Sequence, residues 1–318
     1  MTRVGQYELE REIGRGGMGV VYRAVDTALD RPVAVKMMQY PASVSDDERE
    51  SIRARFEREA KAAAKIKSGH VVQILSFGRA DDGELYLAME LLDGASLEET
   101  LRLERRLSLG RAVKVAQQLC RGLKAAHELG IVHRDVKAAN VMLTKSDDGG
   151  EHVKLLDFGV AHLMTSPARP GALVGTVQAM APEQLSGAAI DARVDVYAVG
   201  ALLYRMLTGA PPFLSSTPAA LLDEMKTTRP TRAGQRTAVP AGLDALVLGC
   251  LSLDPAARPS SAAELDRLLG AAVSKVPVTR ADDVTRTVQE KKSGVGLAVA
   301  VIGAALAAIA AIIAALLR

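Results

Sequence analysis

The eight residues from 133 to 140, His-Arg-Asp-Val-Lys-Ala-Ala-Asn, constrain this chain more than any other part of its sequence. They place a carboxylate at Asp135, an ammonium group at Lys137 and a carboxamide at Asn140 within one short loop. Such a loop can hold a proton acceptor, an anion-binding cation and a metal ligand around a single reacting group. The segment therefore predicts a catalytic loop rather than a structural turn.

Residues 1–92 have the pattern of a strand-rich domain. Apolar and charged side chains alternate over 7–13, as they do in a half-buried strand. Strand-like apolar runs follow at 20–25, 33–36, 71–77 and 85–89. The charged stretch from 46 to 67 has its apolar residues at helical spacing, which predicts one helix among the strands.

Residues 93–270 are mostly helical in pattern, and we place a second domain there. Helices are predicted at 112–129, 194–207, 243–251 and 262–269. The run at 194–207 is predominantly apolar, which predicts a fully buried helix. The pattern as a whole predicts an α+β fold of two lobes, a strand-rich one followed by a helical one.

A glycine-rich turn separates the first two predicted strands. Gly14, Gly16 and Gly19 fit the spacing G-x-G-x-x-G, which by itself only indicates a tight turn. A dinucleotide-binding fold would require a helix directly after the glycines. Residues 20–22 continue as a strand instead, which favours a flap over nucleotide phosphates with Val21 against the base.

Two further charged groups complete the chemical pattern. Lys36 ends an apolar strand seventeen residues after Gly19, where its ammonium group can reach a phosphate. Asp157 lies 22 residues after Asp135, in the sequence Leu-Leu-Asp-Phe-Gly. Hard oxygen ligands such as Asp157 and Asn140 suit Mg²⁺ or Mn²⁺ better than zinc.

These motifs, followed by Ala-Pro-Glu at 181–183, resemble those of Hanks-type bacterial serine/threonine protein kinases over residues 7–269. The resemblance implies the bilobal protein kinase fold and transfer of the γ-phosphoryl group of ATP to Ser or Thr of proteins. It identifies the chain as a non-specific serine/threonine protein kinase, with protein substrates as its partners and ATP and Mg²⁺ as its cofactors.

The resemblance also assigns roles to individual residues. The implied catalytic residues are Asp135, Lys137 and Lys36. The implied ATP-binding residues are Gly14, Gly16, Gly19, Val21, Ala34, Lys36, Glu59, Glu90, Leu92 and Met142, and the implied metal ligands are Asn140 and Asp157. Lys36 is expected to pair with Glu59, with Glu57 as the alternative partner. Asp195 and Arg258 resemble structural anchors, whose expected partners are the catalytic-loop backbone and Glu183.

Two residues favour serine/threonine over tyrosine specificity. Lys137 is the cation that serine/threonine kinases place near the γ-phosphate, and Thr176 resembles the threonine that contacts the catalytic aspartate. Ala138 replaces the usual proline and Ala179 replaces a common aromatic residue, which leaves the substrate preference open. A catalytically weak scaffold on the same fold and a small-molecule phosphotransferase remain alternatives.

The expected regulation is autophosphorylation. Between Gly159 and Gly175 the hydroxyl side chains are Thr165 and Ser166, and either is a candidate phosphosite. Arg134 can pair with such a phosphate and order the loop. Weaker candidates lie in the later linker at Thr279, Thr285 and Thr287.

The C-terminal segment predicts a membrane anchor. Residues 294–317 are 24 consecutive residues without a charged or strongly polar side chain. A helix of that length spans about 36 Å, enough for a hydrocarbon core of about 30 Å. Basic residues are concentrated in the preceding linker, 271–293, which puts the kinase domain in the cytoplasm. We therefore expect a single-pass, tail-anchored protein of the cell membrane.

Charge argues against one class of partner, and residue size favours another. The net charge of +3, with acids and bases interspersed, gives no electrostatic footprint for nucleic acid. Small residues recur at every fourth position of the predicted span, which would let two helices approach closely and form a homodimer. These are Gly303, Ala307, Ala311 and Ala315.

Overall fold

The structure is a computed structural model that describes residues 2–16, 19–39, 45–81, 83–146, 148–158 and 177–274. Contacts within the chain define a compact unit over Met1–Val273. The candidate phosphosites Thr165 and Ser166, as well as Thr176 and the segment 275–318, lie outside the described residues. Within the described residues, no helix is both long and apolar enough to cross a membrane.

The strands of the described residues form two antiparallel sheets. They are β1 (Arg3–Val4), β2 (Tyr7–Gly16), β3 (Gly19–Asp26), β4 (Arg31–Met38), β5 (Ile74–Arg79), β6 (Leu85–Glu90), β7 (Gly94–Ser96), β8 (Val141–Lys145) and β9 (Glu151–Leu155). The first sheet has the order β1-β2-β3-β4-β6-β5 and belongs to the N-terminal lobe. The second has the order β7-β8-β9 and belongs to the C-terminal lobe.

The α-helices lie mainly in the C-terminal lobe, and three short 3₁₀ helices accompany them among the described residues. The α-helices are α1 (Asp46–Ala63), α2 (Leu97–Glu104), α3 (Leu109–His127), α4 (Pro182–Ser186), α5 (Arg193–Thr208), α6 (Pro218–Thr227), α7 (Ala233–Arg236), α8 (Ala241–Cys250) and α9 (Ala262–Ser274). The 3₁₀ helices are Ala138–Asn140, Val177–Ala179 and Pro255–Ala257.

Helix α1 begins where the sequence supplies a reciprocal cap. The Ser45 hydroxyl accepts a bond from the Glu48 backbone N–H, and the Glu48 carboxylate accepts one from the Ser45 backbone N–H at 2.9 Å. This arrangement satisfies two donors that have no partner inside the helix. Phe56 and Ala60 are buried one turn apart, and they fix the helix against the N-terminal sheet.

Helix α5 forms the centre of the C-terminal lobe. It is buried over nearly its whole length, as its predominantly apolar sequence predicts. Helix α3 packs against it through a stripe of buried residues that includes Ala116, Leu119 and Leu123. Because α5 is surrounded by other elements, the groups it carries occupy fixed positions relative to the loops around it.

The predicted elements are present, with shifted ends. Helix α1 ends at Ala63 rather than 67, and β5 begins at Ile74 rather than 71. The segment before β5 lies beside β9 instead. The Leu155 N–H donates to the His70 carbonyl, and the Val72 N–H donates to the Leu155 carbonyl. Helix α9 continues to Ser274, four residues past the predicted domain boundary at 270.

Candidate active site

The catalytic loop is held in an unusual backbone conformation by a buried carboxylate of α5. Arg134 has a φ of +66°, a region that non-glycine residues rarely occupy. Asp195, which is fully buried, accepts the backbone N–H groups of His133 at 2.9 Å and of Arg134 at 2.8 Å. His127 adds a ring-nitrogen contact to Asp195 at 2.8 Å. This geometry is consistent with the anchoring role expected for Asp195.

The two bonds of the His133 ring define its tautomer. Nε2 lies 2.7 Å from the carbonyl oxygen of Leu156 and must donate to it. Nδ1 then accepts the backbone N–H of Asp135 at 3.1 Å. The ring also packs on Phe158, with centroids 4.5 Å apart. The imidazole therefore links the catalytic loop to the segment that carries Asp157.

The Asp135 carboxylate is bound by the other two functional side chains that were predicted in its loop. Lys137 Nζ lies 2.8 Å from Asp135 Oδ2, and Asn140 Nδ2 lies 3.0 Å from the same oxygen. Asn140 Nδ2 also donates to the Asp135 backbone carbonyl at 2.8 Å. These contacts fix the carboxylate in one orientation, as a group that receives a proton must be fixed.

Lys36 reaches across the cleft to Asp157. Its Nζ lies 2.8 Å from Asp157 Oδ1, and the lysine side chain is only 8% exposed. Burial alone would raise the pKa of Asp157, but the Lys36 ammonium outweighs it, with help from Lys137, and holds the pKa below its usual range. Asp157 is therefore ionised at neutral pH, as a metal ligand needs to be.

The expected Lys36–Glu59 ion pair is not formed among the described residues, and neither is the Lys36–Glu57 alternative. Glu59 Oε2 is buried and has no hydrogen-bond partner in the part of the chain that the structure describes. Burial raises the pKa of Glu59, and the nearby Arg134 guanidinium offsets this only in part. Lys36 binds Asp157 instead.

Glu59→Gln is therefore expected to raise Tm at about pH 8 and to have little effect at about pH 4.5. The pKa of Glu59 is raised in the folded chain, so folding favours the protonated carboxyl group. The folded protein therefore loses stability as the pH rises through the folded pKa of Glu59. Thermal melts of both proteins at the two pH values measure this. Glu57→Gln, on a more exposed part of the same helix, is the control. An equal change in Tm at both pH values would contradict the interpretation.

The glycine flap takes the predicted strand-turn-strand form over the residues described. Gly14 pairs with Val21, and Gly16 pairs with Gly19, in the β2–β3 hairpin. Gly19 has a φ of +149°, and a Cβ there would overlap the backbone carbonyl oxygen of Met37. A glycine is therefore required at position 19 by the close approach of β4.

The residues expected around adenine line the junction of the lobes. Val21, Ala34 and Leu92 belong to one apolar cluster of the N-terminal lobe, and Met142 lies half-buried on β8. Glu90 ends β6, and its backbone N–H donates to the Gln73 carbonyl at 3.0 Å. Lys154 Nζ binds the Glu90 carboxylate at 2.6 Å, a contact that the sequence analysis did not anticipate.

The donor set fits a divalent cation held partly by a nucleotide. Within the described residues, no group of three His, Cys, Asp or Glu side chains could hold a metal by itself. Mg²⁺ is commonly bound through one or two protein oxygens plus substrate phosphates. Asp157 offers an ionised carboxylate, and Asn140 offers its amide oxygen because its nitrogen donates to Asp135. These two residues would hold the ion.

The anchor predicted for Arg258 is present in the structure. Its guanidinium forms two parallel bonds to the Glu183 carboxylate, at 2.6 and 2.8 Å, and both side chains are buried. It also donates to the Ser252 carbonyl and lies over the Tyr197 ring at 5.0 Å. This contact fixes the start of α4 to the body of the C-terminal lobe.

The comparisons with known proteins agree with this geometry. The protein kinase domain model matches residues 7–268, and the chain belongs to the protein kinase family. It is 39% identical over 266 residues to the serine/threonine-protein kinase pkn3 of Myxococcus xanthus, covering 81% of this chain and 48% of that protein. It is 36% identical to PknE of Mycobacterium bovis over 92% of this chain and 50% of PknE.

A further relative is PknB of Mycolicibacterium smegmatis, which is 37% identical over 82% of this chain and 42% of its own length. The chain thus spans about half the length of these curated relatives, and the shared part contains the kinase domain. The relatives support the predicted class, a bacterial kinase of the Hanks type.

Proposed function

We propose that this chain is an ATP-dependent serine/threonine protein kinase. The observation that carries the proposal is the arrangement of Asp135, whose carboxylate is held by Lys137 and Asn140 beside the cleft that Lys36 and Asp157 bridge. The names of the relatives, each a serine/threonine-protein kinase, support the same class of acceptor.

In the proposed reaction the chain's own groups position the reactants. The adenine lies between Val21, Ala34 and Met142, with the hinge backbone at Glu90 and Leu92 beside it. Lys36 binds the α- and β-phosphates, and the glycine flap covers them. Asp135 orients the substrate hydroxyl and accepts its proton, and Lys137 stabilises negative charge on the γ-phosphoryl group. When bound at Asn140 and Asp157, Mg²⁺ neutralises phosphate charge.

The ion pairs in this structure suggest how the kinase would be switched on. Lys36 is bound to Asp157, while Glu59 Oε2 is buried and has no hydrogen-bond partner among the described residues. An incoming nucleotide and metal would compete for both members of the Lys36–Asp157 pair. Glu59 would then gain Lys36 as a partner and lose the cost of its unpaired burial.

We further propose autophosphorylation at Thr165 or Ser166, with Arg134 as the partner of the phosphate. The test is to incubate the full chain with labelled ATP and Mg²⁺ and to map the phosphosites by mass spectrometry. Phosphate at either residue, lost in the Thr165→Ala/Ser166→Ala double variant, is the expected result. Thr228→Ala, which changes an exposed threonine outside the candidate phosphosites, is the matched control. Robust phosphorylation of added protein by a chain that carries phosphate at neither Thr165 nor Ser166 would refute this proposal.

Residues 294–317 are proposed to anchor the kinase on the cytoplasmic side of the cell membrane, where the span's small residues favour a homodimer. Confinement to a membrane raises the local concentration and so favours phosphorylation between two copies. The full chain should stay with membranes during alkaline carbonate extraction, whereas a variant lacking 294–318 should be released. Release of the full chain would exclude an integral anchor. If the full chain binds nucleotide but is not labelled during incubation with labelled ATP and Mg²⁺, the result would instead favour the alternative of a catalytically weak, tethered scaffold.

A further inference from the structure

The peptide group between Arg134 and Asp135 carries the proposed catalytic aspartate, and each polar backbone atom around it has a partner. The Arg134 N–H is held by Asp195, the Asp135 N–H by His133, and the Asp135 carbonyl by Asn140. The remaining atom is the Arg134 carbonyl oxygen. It accepts a bond from Gln184 Nε2 at 2.9 Å.

Gln184 lies in a different part of the chain from the other groups that bind the backbone around the Arg134–Asp135 peptide group. Asp195 lies on α5, and His133 and Asn140 lie in the catalytic loop itself. Gln184 lies on α4, which follows directly after Val177–Ala179 and the Met180-Ala181 pair. Its second amide atom, Oε1, accepts the Ala181 backbone N–H at 3.0 Å. One side chain therefore joins the start of α4 to the residue before Asp135.

The bond to Arg134 holds a conformation that would otherwise relax. Arg134 has a φ of +66°, which costs energy for any residue with a Cβ, and it persists only where the surroundings hold it. Asp195 fixes the nitrogen side of Arg134, and Gln184 fixes its carbonyl side. Without the second bond, the 3.1 Å contact from the Asp135 N–H to His133 Nδ1 alone holds this peptide plane, and Asp135 can shift relative to Lys137.

We propose that Gln184 is a positioning residue, which sets the orientation of the Asp135 carboxylate through its bond to the Arg134 carbonyl. Through its bond to the Ala181 N–H, it couples that orientation to residues 177–181. Gln184 does not touch a reactant. This inference rests on the proposed kinase function. It predicts a loss of turnover without a loss of nucleotide binding, because none of the nucleotide-binding groups contacts Gln184.

Two substitutions separate the two bonds of Gln184. Gln184→Glu keeps an oxygen that accepts the Ala181 N–H, but a carboxylate cannot donate to the Arg134 carbonyl. Gln184→Met is similar in size and makes neither bond. Gln117→Met is the matched control, because Gln117 Nε2 also donates to a backbone carbonyl, that of Asp266 at 3.3 Å, between two helices outside the site.

The full-length variants would be purified in mild detergent and assayed with a degenerate peptide library carrying a central Ser or Thr, at varied ATP concentrations. Nucleotide binding and Tm would be measured on the same preparations. We expect kcat to fall about tenfold in both Gln184 variants, with KM for ATP within about twofold of the wild type, since small displacements of a catalytic group cost this much or more. Gln117→Met should keep the wild-type kcat.

The remaining outcomes overturn the inference. Full kcat in both Gln184 variants would exclude the role, and full kcat in Gln184→Glu alone would show that only the bond to Ala181 matters. Full kcat in Gln184→Met alone would point to the added charge. Parallel losses of Tm, nucleotide affinity and kcat would indicate a structural role. An inactive wild type that binds nucleotide refutes the proposed kinase function instead, so the two failures are distinguishable.

Discussion

Asp135→Asn is expected to lower kcat for protein phosphorylation by about three orders of magnitude, within the range of general acid–base catalysis. The amide cannot accept the hydroxyl proton, but its oxygen can still accept bonds from Lys137 and Asn140, which both donate to Asp135 Oδ2 in this structure. The fold and the nucleotide site should therefore be kept. Single-turnover kinetics with saturating ATP and Mg²⁺ measure the effect.

The control for this substitution is Asp223→Asn. Asp223 lies on the exposed side of α6, and the substitution makes the same chemical change outside the cleft. It should leave kcat unchanged. If Asp135→Asn keeps wild-type turnover, Asp135 is not the proton acceptor. If it also loses nucleotide affinity and Tm, its effect is structural and the catalytic role is unproven.

Arg258→Met is expected to lower the free energy of unfolding by about 3–5 kcal/mol, the usual cost of removing one partner of a buried ion pair. Arg258 is 4% exposed, and its loss leaves the buried Glu183 carboxylate without its counter-ion. Backbone carbonyls of Ser252 and Arg193 also lose a donor. Urea unfolding followed by far-UV circular dichroism measures the change.

Two comparisons make this result specific. The double variant Glu183→Gln/Arg258→Met removes the unpaired charge and should recover part of the loss. Arg267→Met removes a 69%-exposed arginine, 4.0 Å from Glu264, and should cost at most about 1 kcal/mol. Equal losses at positions 258 and 267 would mean that burial of the Arg258–Glu183 pair does not determine its contribution.

Much of the site was readable from the sequence because its residues are close together along the chain. Asp135, Lys137 and Asn140 lie within one loop, so their mutual contacts follow from a short segment of backbone. Asp195 and Arg258 were predicted only through the resemblance to a family, and the structure gives them the expected partners.

Contacts between distant segments were harder to predict. Gln184 occupies the third helical position of α4, where a glutamine signals a reciprocal cap. Ala181 has no side-chain acceptor, so only half of that cap exists, and nothing in the local sequence points to Arg134 as the other partner. The Lys154–Glu90 pair, which joins β9 to the end of β6, likewise has no local sequence signal.

The sequence by itself determined the elements and the chemistry of this protein, because hydrophobic periodicity and short motifs act over a few residues. It specified a strand-rich lobe, a buried helix at 194–207, which the structure extends by one residue at each end, and the functional groups of the cleft. Only the tertiary structure decided which of those groups meet. Lys36 lies against Asp157 and not Glu59 because the position of α1 relative to β4 and the segment after β9 is set by packing between elements far apart in the chain.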